Sequence, residues 1–455
     1  MKDKLLSGIR GFLSGYYYPI AVGLLALLSH IFALEAAVAP IIVLSCILVL
    51  VLLDSAEYIL SPLVIFTTLL SRKHTPTVPS YSDYLTRPGV LVLVIIMALG
   101  LLAAIVFFFA KGARYRRIKL RGEWTFVSLL IFCAMLFVTA IPTGADMWKN
   151  LAFALLQSVA LVIPFLLLRF GVSEENKARL ADYLSYTALV LSSVIILELL
   201  YLYLTGDVLS GGALDKESIT LGWGIWNSIG GMLTMTLPLL FLGAVRGKHT
   251  AIYLAAATLT YIAAVLTLSR NALVFGTVIF AASLIICALC GEKKKLFRRF
   301  LLVLVGIFAL IVLIFGSKLA EILSDYINRG FSDNGRFELW QDSLSAFLKN
   351  PIFGVGFYGY DGEYYQFAEF MPRLPHNTPL AILGGGGILL SLAYIGYRVG
   401  TVIPFVRRPS LEKTLLGISA LVLVLGSLLD NFIFNFYPTF MYTAAICIAS
   451  GYDEG

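Results

Sequence analysis

Apolar residues gather in long blocks along this chain, separated mostly by short polar stretches. The blocks fall near 16–33, 35–53, 56–71, 88–110, 125–142, 151–169, 183–204, 222–245, 251–268, 271–290, 300–316, 379–398, 414–429 and 436–451. A helix needs about 20 predominantly apolar residues to cross the hydrocarbon of a bilayer. Inside lipid every backbone amide must find its partner within its own segment, which a helix achieves and an open strand does not. The expected fold is therefore all-α: a polytopic integral membrane protein with 12–14 transmembrane helices. One long polar segment divides it into N-terminal spans (1–316), a loop (317–378) and C-terminal spans (379–455).

Composition excludes the alternatives to a membrane. Hydrophobic residues make up 59% of the chain and charged residues only 13%, against roughly 25% charged in a soluble domain. The net charge of +7 is no sign of nucleic-acid binding, since membrane proteins collect basic residues on one side as a topology signal. The five cysteines all lie in apolar runs. Cys287 and Cys290 form a C-x-x-C inside a span with no partner pair, so they are expected to serve packing. The charged start, Met1 to Arg10, leads into an uncleaved first span.

With the N-terminus in the cytoplasm, 23 of the 34 basic residues fall on the cytoplasmic side, and nearly every loop keeps the bias. The long 317–378 loop is then extracytoplasmic, where nucleotide sugars are absent and a donor must carry its own activation. Within it, RFELWQDSLSAFLKN (336–350) places Phe337, Trp340, Leu344 and Phe347 at helical spacing. Ser332, Asp333 and Asn334 are capping candidates before it, and Pro351 ends the run. The pattern predicts a short amphipathic helix lying on the membrane surface or over a cavity.

Metal-binding, P-loop and nucleophile-elbow motifs are missing from the sequence, so neither a metal nor a cofactor is expected. Three residues on the outer face stand out instead. Arg270, in TLSRNAL, and Arg336, in DNGRFELW, each open a helix, where the positive end of the dipole disfavours a cation unless an anion binds between them. Taken singly, Arg270 is equally a snorkelling interfacial arginine, and Glu338 could balance Arg336. His376, in RLPHNTPLAILGGGG, is the side chain best suited to accept a proton near neutral pH, although beside Pro375 it could be structural.

Four pieces in order, TLSRN ending at Asn271, GRFELW from Gly335, NPIFGVGF from Asn350 and HNTPLAILGGGG from His376, resemble the O-antigen ligase and polymerase superfamily of bacterial membrane glycosyltransferases. WGIWN, ending at Asn227, is similar to a further element of that family. The resemblance implies a metal-independent, inverting transferase in the cytoplasmic membrane, acting on its extracytoplasmic face. Its donor would be an undecaprenyl-diphosphate-linked glycan and its acceptor a glycan or glycolipid hydroxyl. By the same resemblance Arg270 and Arg336 would hold the diphosphate, His376 would orient or deprotonate the acceptor, and Asn227 and Asn377 would line the substrate site. Asp325, Asp333 and Glu338 are alternative bases. Leu390 departs from the ligase pattern, which expects Gly, Thr or Tyr there. A polymerase is the nearest alternative. A flippase for lipid-linked sugars is a further one, disfavoured because no internal repeat is evident and the polar residues concentrate in one loop.

Overall fold

The computed structural model describes residues 2–69, 88–112, 122–205, 208, 218–328, 335–360 and 374–451. It is an all-α membrane protein, and each of the fourteen apolar blocks has become a helix. In chain order the helices are α1 (Lys2–Leu13), α2 (Tyr17–Phe32), α3 (Glu35–Leu52), α4 (Leu60–Phe66), α5 (Pro88–Lys111), α6 (Trp124–Ala140), α7 (Met147–Phe170) and α8 (Glu174–Thr205). They continue as α9 (Trp226–Arg246), α10 (Thr250–Leu266), α11 (Arg270–Cys290), α12 (Lys294–Asn328), α13 (Arg336–Lys349), α14 (Thr378–Val406), α15 (Leu411–Gly426) and α16 (Phe436–Gly451). Two-residue strands, Thr220–Leu221 and Gly224–Ile225, pair just before α9.

Seven of the helices are long and apolar enough to cross a membrane unaided, or eight if α1 and α2, bent by 73°, form one span. That is fewer than the number of apolar blocks because several helices are shorter, among them α6 and α10 with 17 residues each and α15 and α16 with 16 each, about 25 Å at 1.5 Å per residue. α9 lies at the centre, buried on nearly every side and packed by α8, α10, α11 and α15. α12 is the opposite case: it packs chiefly on α11, through partly buried Phe300, Leu301 and Leu304, and most of its apolar stretch is exposed. It runs on to Asn328, beyond the expected start of the loop at 317.

Polar residues sort to the two ends of the bundle. At one end Arg246 bonds Asp182 at 2.6 Å and Glu412 at 2.7 Å, Arg169 bonds Glu123, and Lys293 donates to the carbonyls of Ala244 and Gly247. Lys111 meets Asp54 and the Leu53 carbonyl there as well. These belong to the segments expected to be cytoplasmic. Cys46, Cys133, Cys287 and Cys447 are buried as expected, whereas Cys290 faces outward, which corrects its assignment to packing.

At the other end the loop helix docks on α14. Its inward face is Leu339, Ser343 and Ala346. The segment after it, Pro351 to Gly356, lies along a run of four glycines: Val355 and Gly356 donate to the carbonyls of Gly384 and Gly385, and Ile388 donates to Pro351. Gly387, at φ 62 and ψ −162, breaks α14 here. A Cβ on Gly387 would stand 2.4 Å from the Ile352 carbonyl oxygen, so only glycine permits this approach. Leu390 is fully buried with its side chain against Gly386, so its departure from the ligase pattern falls at a packing position.

Candidate functional site

The loop helix begins at Arg336 without a side-chain cap, because its N-cap is Gly335 at φ 76. The capping candidates Ser332, Asp333 and Asn334 lie outside the described residues. Trp340, one turn on, donates from Nε1 to the Pro375 carbonyl at 3.1 Å and so ties the loop helix to the residue before His376. Of the four residues at helical spacing, Phe337 and Leu344 point outward, while Trp340 and Phe347 are half-buried.

His376 adopts φ 50, an uncommon left-handed conformation for a non-glycine residue. Its neighbours hold it there. Asn377 caps α14 by accepting from Leu380 N and donates to the Leu428 carbonyl, while Thr378 N donates to Ser427. Ser427 and Leu428 lie at the end of α15, beside Asp430. His376 Nδ1 stands 3.0 Å from Asp430 Oδ1. An ionised carboxylate can only accept, so Nδ1 carries the hydrogen, and in the neutral form of the ring Nε2 presents its lone pair. The imidazole is half exposed, leaving Nε2 open to a hydroxyl from outside.

Burial alone would push the Asp430 carboxyl up. The hydrogen bond and charge of His376, the Asn431 amide and the Arg336 guanidinium outweigh burial and hold it below its ordinary value. Arg336 thus lies within electrostatic reach of the His376–Asp430 pair. Asp430 had no assigned role on sequence grounds.

Arg270 opens α11 as expected. Ser269 is the N-cap: its hydroxyl accepts from Ala272 N and donates to Asn227 Oδ1 at 2.9 Å, linking the starts of α9 and α11. Asn227, Asn271 and Asp430 line the polar end of a narrow cleft between α9, α11 and α15, and Phe275, Ile279 and Leu425 line its apolar side. The structure therefore gathers the starts of α9, α11, α13 and α14 at one end of the bundle. Asn227, Arg270, Arg336, His376 and Asn377 all sit there, and His376 and Arg336 act on a carboxylate from the α15–α16 connection.

Residues 254–395 match the O-antigen ligase family. The match bears out the family resemblance read from the motifs and takes in Arg270, Arg336, His376 and Asn377. Asn227 and Asp430 lie outside it. No curated protein matches the chain. The chain is a multi-pass membrane protein, and the segment similar to the O-antigen ligase family carries four of the five candidate residues.

Two other residues support the site from a distance. Asn150, buried on α7, accepts from Phe357 N at 2.7 Å and donates to Thr143 and to the Asp146 carbonyl, pinning the segment that follows the loop helix. Phe357 packs between Phe153 and Phe434. Of the alternative bases, Glu338 is exposed on the outer side of α13, and Asp325 and Asp333 fall outside the residues whose side chains are described. Among the described residues no three His, Cys, Asp or Glu side chains come together as metal ligands.

Proposed function

We propose that the chain is a metal-independent, inverting glycosyltransferase, a glycan ligase in the first reading. It moves a glycan from undecaprenyl diphosphate to an acceptor hydroxyl at the outer face of a bacterial cytoplasmic membrane. The observation that carries this reading is the His376–Asp430 contact at 3.0 Å beside Arg336. It is a base with its orienting carboxylate next to a cation, at the end of the bundle opposite most of the basic residues. The positive-inside bias supports an extracytoplasmic position for that end.

The chemistry follows from the groups present. Asp430 fixes the imidazole so that Nε2 faces the acceptor hydroxyl. The hydroxyl oxygen attacks the anomeric carbon from the side away from the diphosphate. The bond from that carbon to the diphosphate oxygen breaks, its electron pair leaves with the diphosphate, and the hydroxyl proton passes to Nε2. Attack from the opposite side inverts the configuration. Negative charge grows on the leaving diphosphate, where the guanidinium groups of Arg270 and Arg336 stabilise it most in the transition state. Bidentate guanidinium groups suit phosphate oxygens, and two of them supply the charge compensation the step needs. Asn227 and Asn377 contribute amide groups around the same end.

A polymerase performs the same bond exchange with a growing glycan as acceptor, and the family match supports both. Glycans from a strain lacking the protein separate them. Full-length polymer left on the lipid carrier shows a ligase for lipopolysaccharide or another cell-envelope acceptor, and single repeat units on the carrier show a polymerase. Normal glycans throughout would refute both and leave a lipid-linked sugar transporter or another role.

A further inference from the structure

The loop helix α13 meets three different surroundings on three sides, and the residue types follow them. Leu339, Ser343 and Ala346 face the glycine run of α14 and are buried. Phe337, Leu344 and Leu348 lie along another side and are 61%, 45% and 75% exposed. Glu338, Gln341, Ser345 and Lys349 occupy the third side, also exposed. At 3.6 residues per turn, half-buried Trp340 and Phe347 fall between the buried and the apolar sides. The polar side lies beyond the apolar one. A helix standing in water would need only two faces.

The apolar side also continues into a surface that a span presents to its surroundings. The chain leaves α13 through Ile352, 53% exposed, whose carbonyl accepts from Leu389 N of α14. From there Ile388, Leu392 and Ile395, all exposed, carry the strip along α14, one of the helices able to cross a membrane.

We infer that the Phe337–Leu344–Leu348 face of α13 is immersed in the acyl chains of the leaflet on the site's side. The loop helix would be a rim element wedged between protein, lipid and water. The occupant is bulk phospholipid, because the strip is continuous with the exposed side of a span and ends at no closed pocket. Arg336 and the His376–Asp430 pair would then sit at headgroup depth, where the linkage of any lipid-borne substrate lies. The inference rests on the chain crossing a membrane and not on the transferase reading.

Nitroxide labels on single cysteines test it in protein reconstituted into phospholipid vesicles without glycolipid, with collision rates against oxygen and against a water-soluble nickel chelate measured by electron spin resonance. Labels at Phe337, Leu344 and Leu348 should collide several-fold more with oxygen than with nickel. Labels at Gln341 and Ser345 should show the reverse, and labels at Ser343 should be shielded from both. Nickel access at Leu344 and Leu348 equal to that at Gln341 would overturn the inference in favour of a water-exposed face. Shielding of Leu344 and Leu348 from both reagents would overturn it in favour of a protein partner.

Discussion

The two ends of the bundle use charge in opposite ways. At the basic end Arg246 spends its guanidinium on Asp182, Glu412 and the Ala178 carbonyl, and Arg169 lies against Glu123 with most of its side chain buried. Each cation is committed to partners on other helices, so the contacts fasten helix to helix. At the site end, among the described residues, Arg336 forms no salt bridge, and the nearby carboxylate, Asp430, is engaged by His376 and the Asn431 amide. The cations there sit at helix starts, next to a half-exposed imidazole and a cleft. At the basic end these arginines are paired with carboxylates, whereas at the site end the carboxylate beside Arg336 is engaged by an imidazole instead. Arginine is common to both ends, so the residue type alone does not distinguish a fastener from a binding group; the carboxylates around it do.

Substitutions should break this contrast in a graded way. His376→Ala is expected to cost the most, about 10²–10⁴-fold in transfer, with donor binding kept. His376→Gln tells proton transfer from orientation, because glutamine keeps a hydrogen-bonding group but cannot take the proton. Measured turnover near the wild-type rate in His376→Ala would remove the histidine from the chemistry. Arg336→Lys should lose on the order of 10²-fold, because an ammonium keeps the charge but not the two-pronged grip on phosphate oxygens. Normal turnover by that variant in an assay with saturating acceptor would rule out the diphosphate contact.

Gly387→Ala should act on stability before activity. It forces a side chain into φ 62 and against the Ile352 carbonyl, a strain of about 1–3 kcal/mol. A lowered melting temperature with faster proteolysis near residues 350–360 would report it, and an unchanged melt would show that the glycine run tolerates a Cβ.

Asp430 gives a pH test with a defined sign. Its folded pKa is depressed, so its contribution is present above the unfolded value of about 3.9 and fades as pH falls through the lower folded value. The difference in melting temperature between wild type and Asp430→Asn should shrink in acid, as pH falls below about 4. A difference that persists unchanged well below about pH 4 would show that Asp430 is not ionised in the folded protein.

Arg246→Ala should change turnover least. It removes a fastener at the basic end and should lower stability, while the correctly folded fraction transfers glycan at the wild-type rate. A large loss of turnover per folded molecule would dissolve the contrast between the ends.

Much of this organisation was legible along the chain, and the exceptions share a physical cause. Helix-length apolar blocks marked every span, and arginines at polar-to-apolar boundaries marked the starts of α11 and α13. Asp430 was not legible because it meets His376 across 54 residues from a short connection with no motif. Asn150 reaches Phe357 across 207 residues for the same reason. The docking side of α13 was not legible because the helix approaches a glycine run through Ser343 and Ala346. Small side chains allow close approach but add little to a hydrophobic pattern, so spacing picked out Phe337 and Leu344, which point outward.

Donor binding tests the contrast between the two ends most directly. Purified protein would be titrated with an undecaprenyl-diphosphate-linked glycan, comparing wild type with Arg270→Ala combined with Arg336→Ala, and with Arg246→Ala. Binding should be lost in the double variant at the site end and unchanged in the variant at the basic end. Equal binding by all three proteins, or loss only in Arg246→Ala, would show that the diphosphate is not held where the helix starts converge.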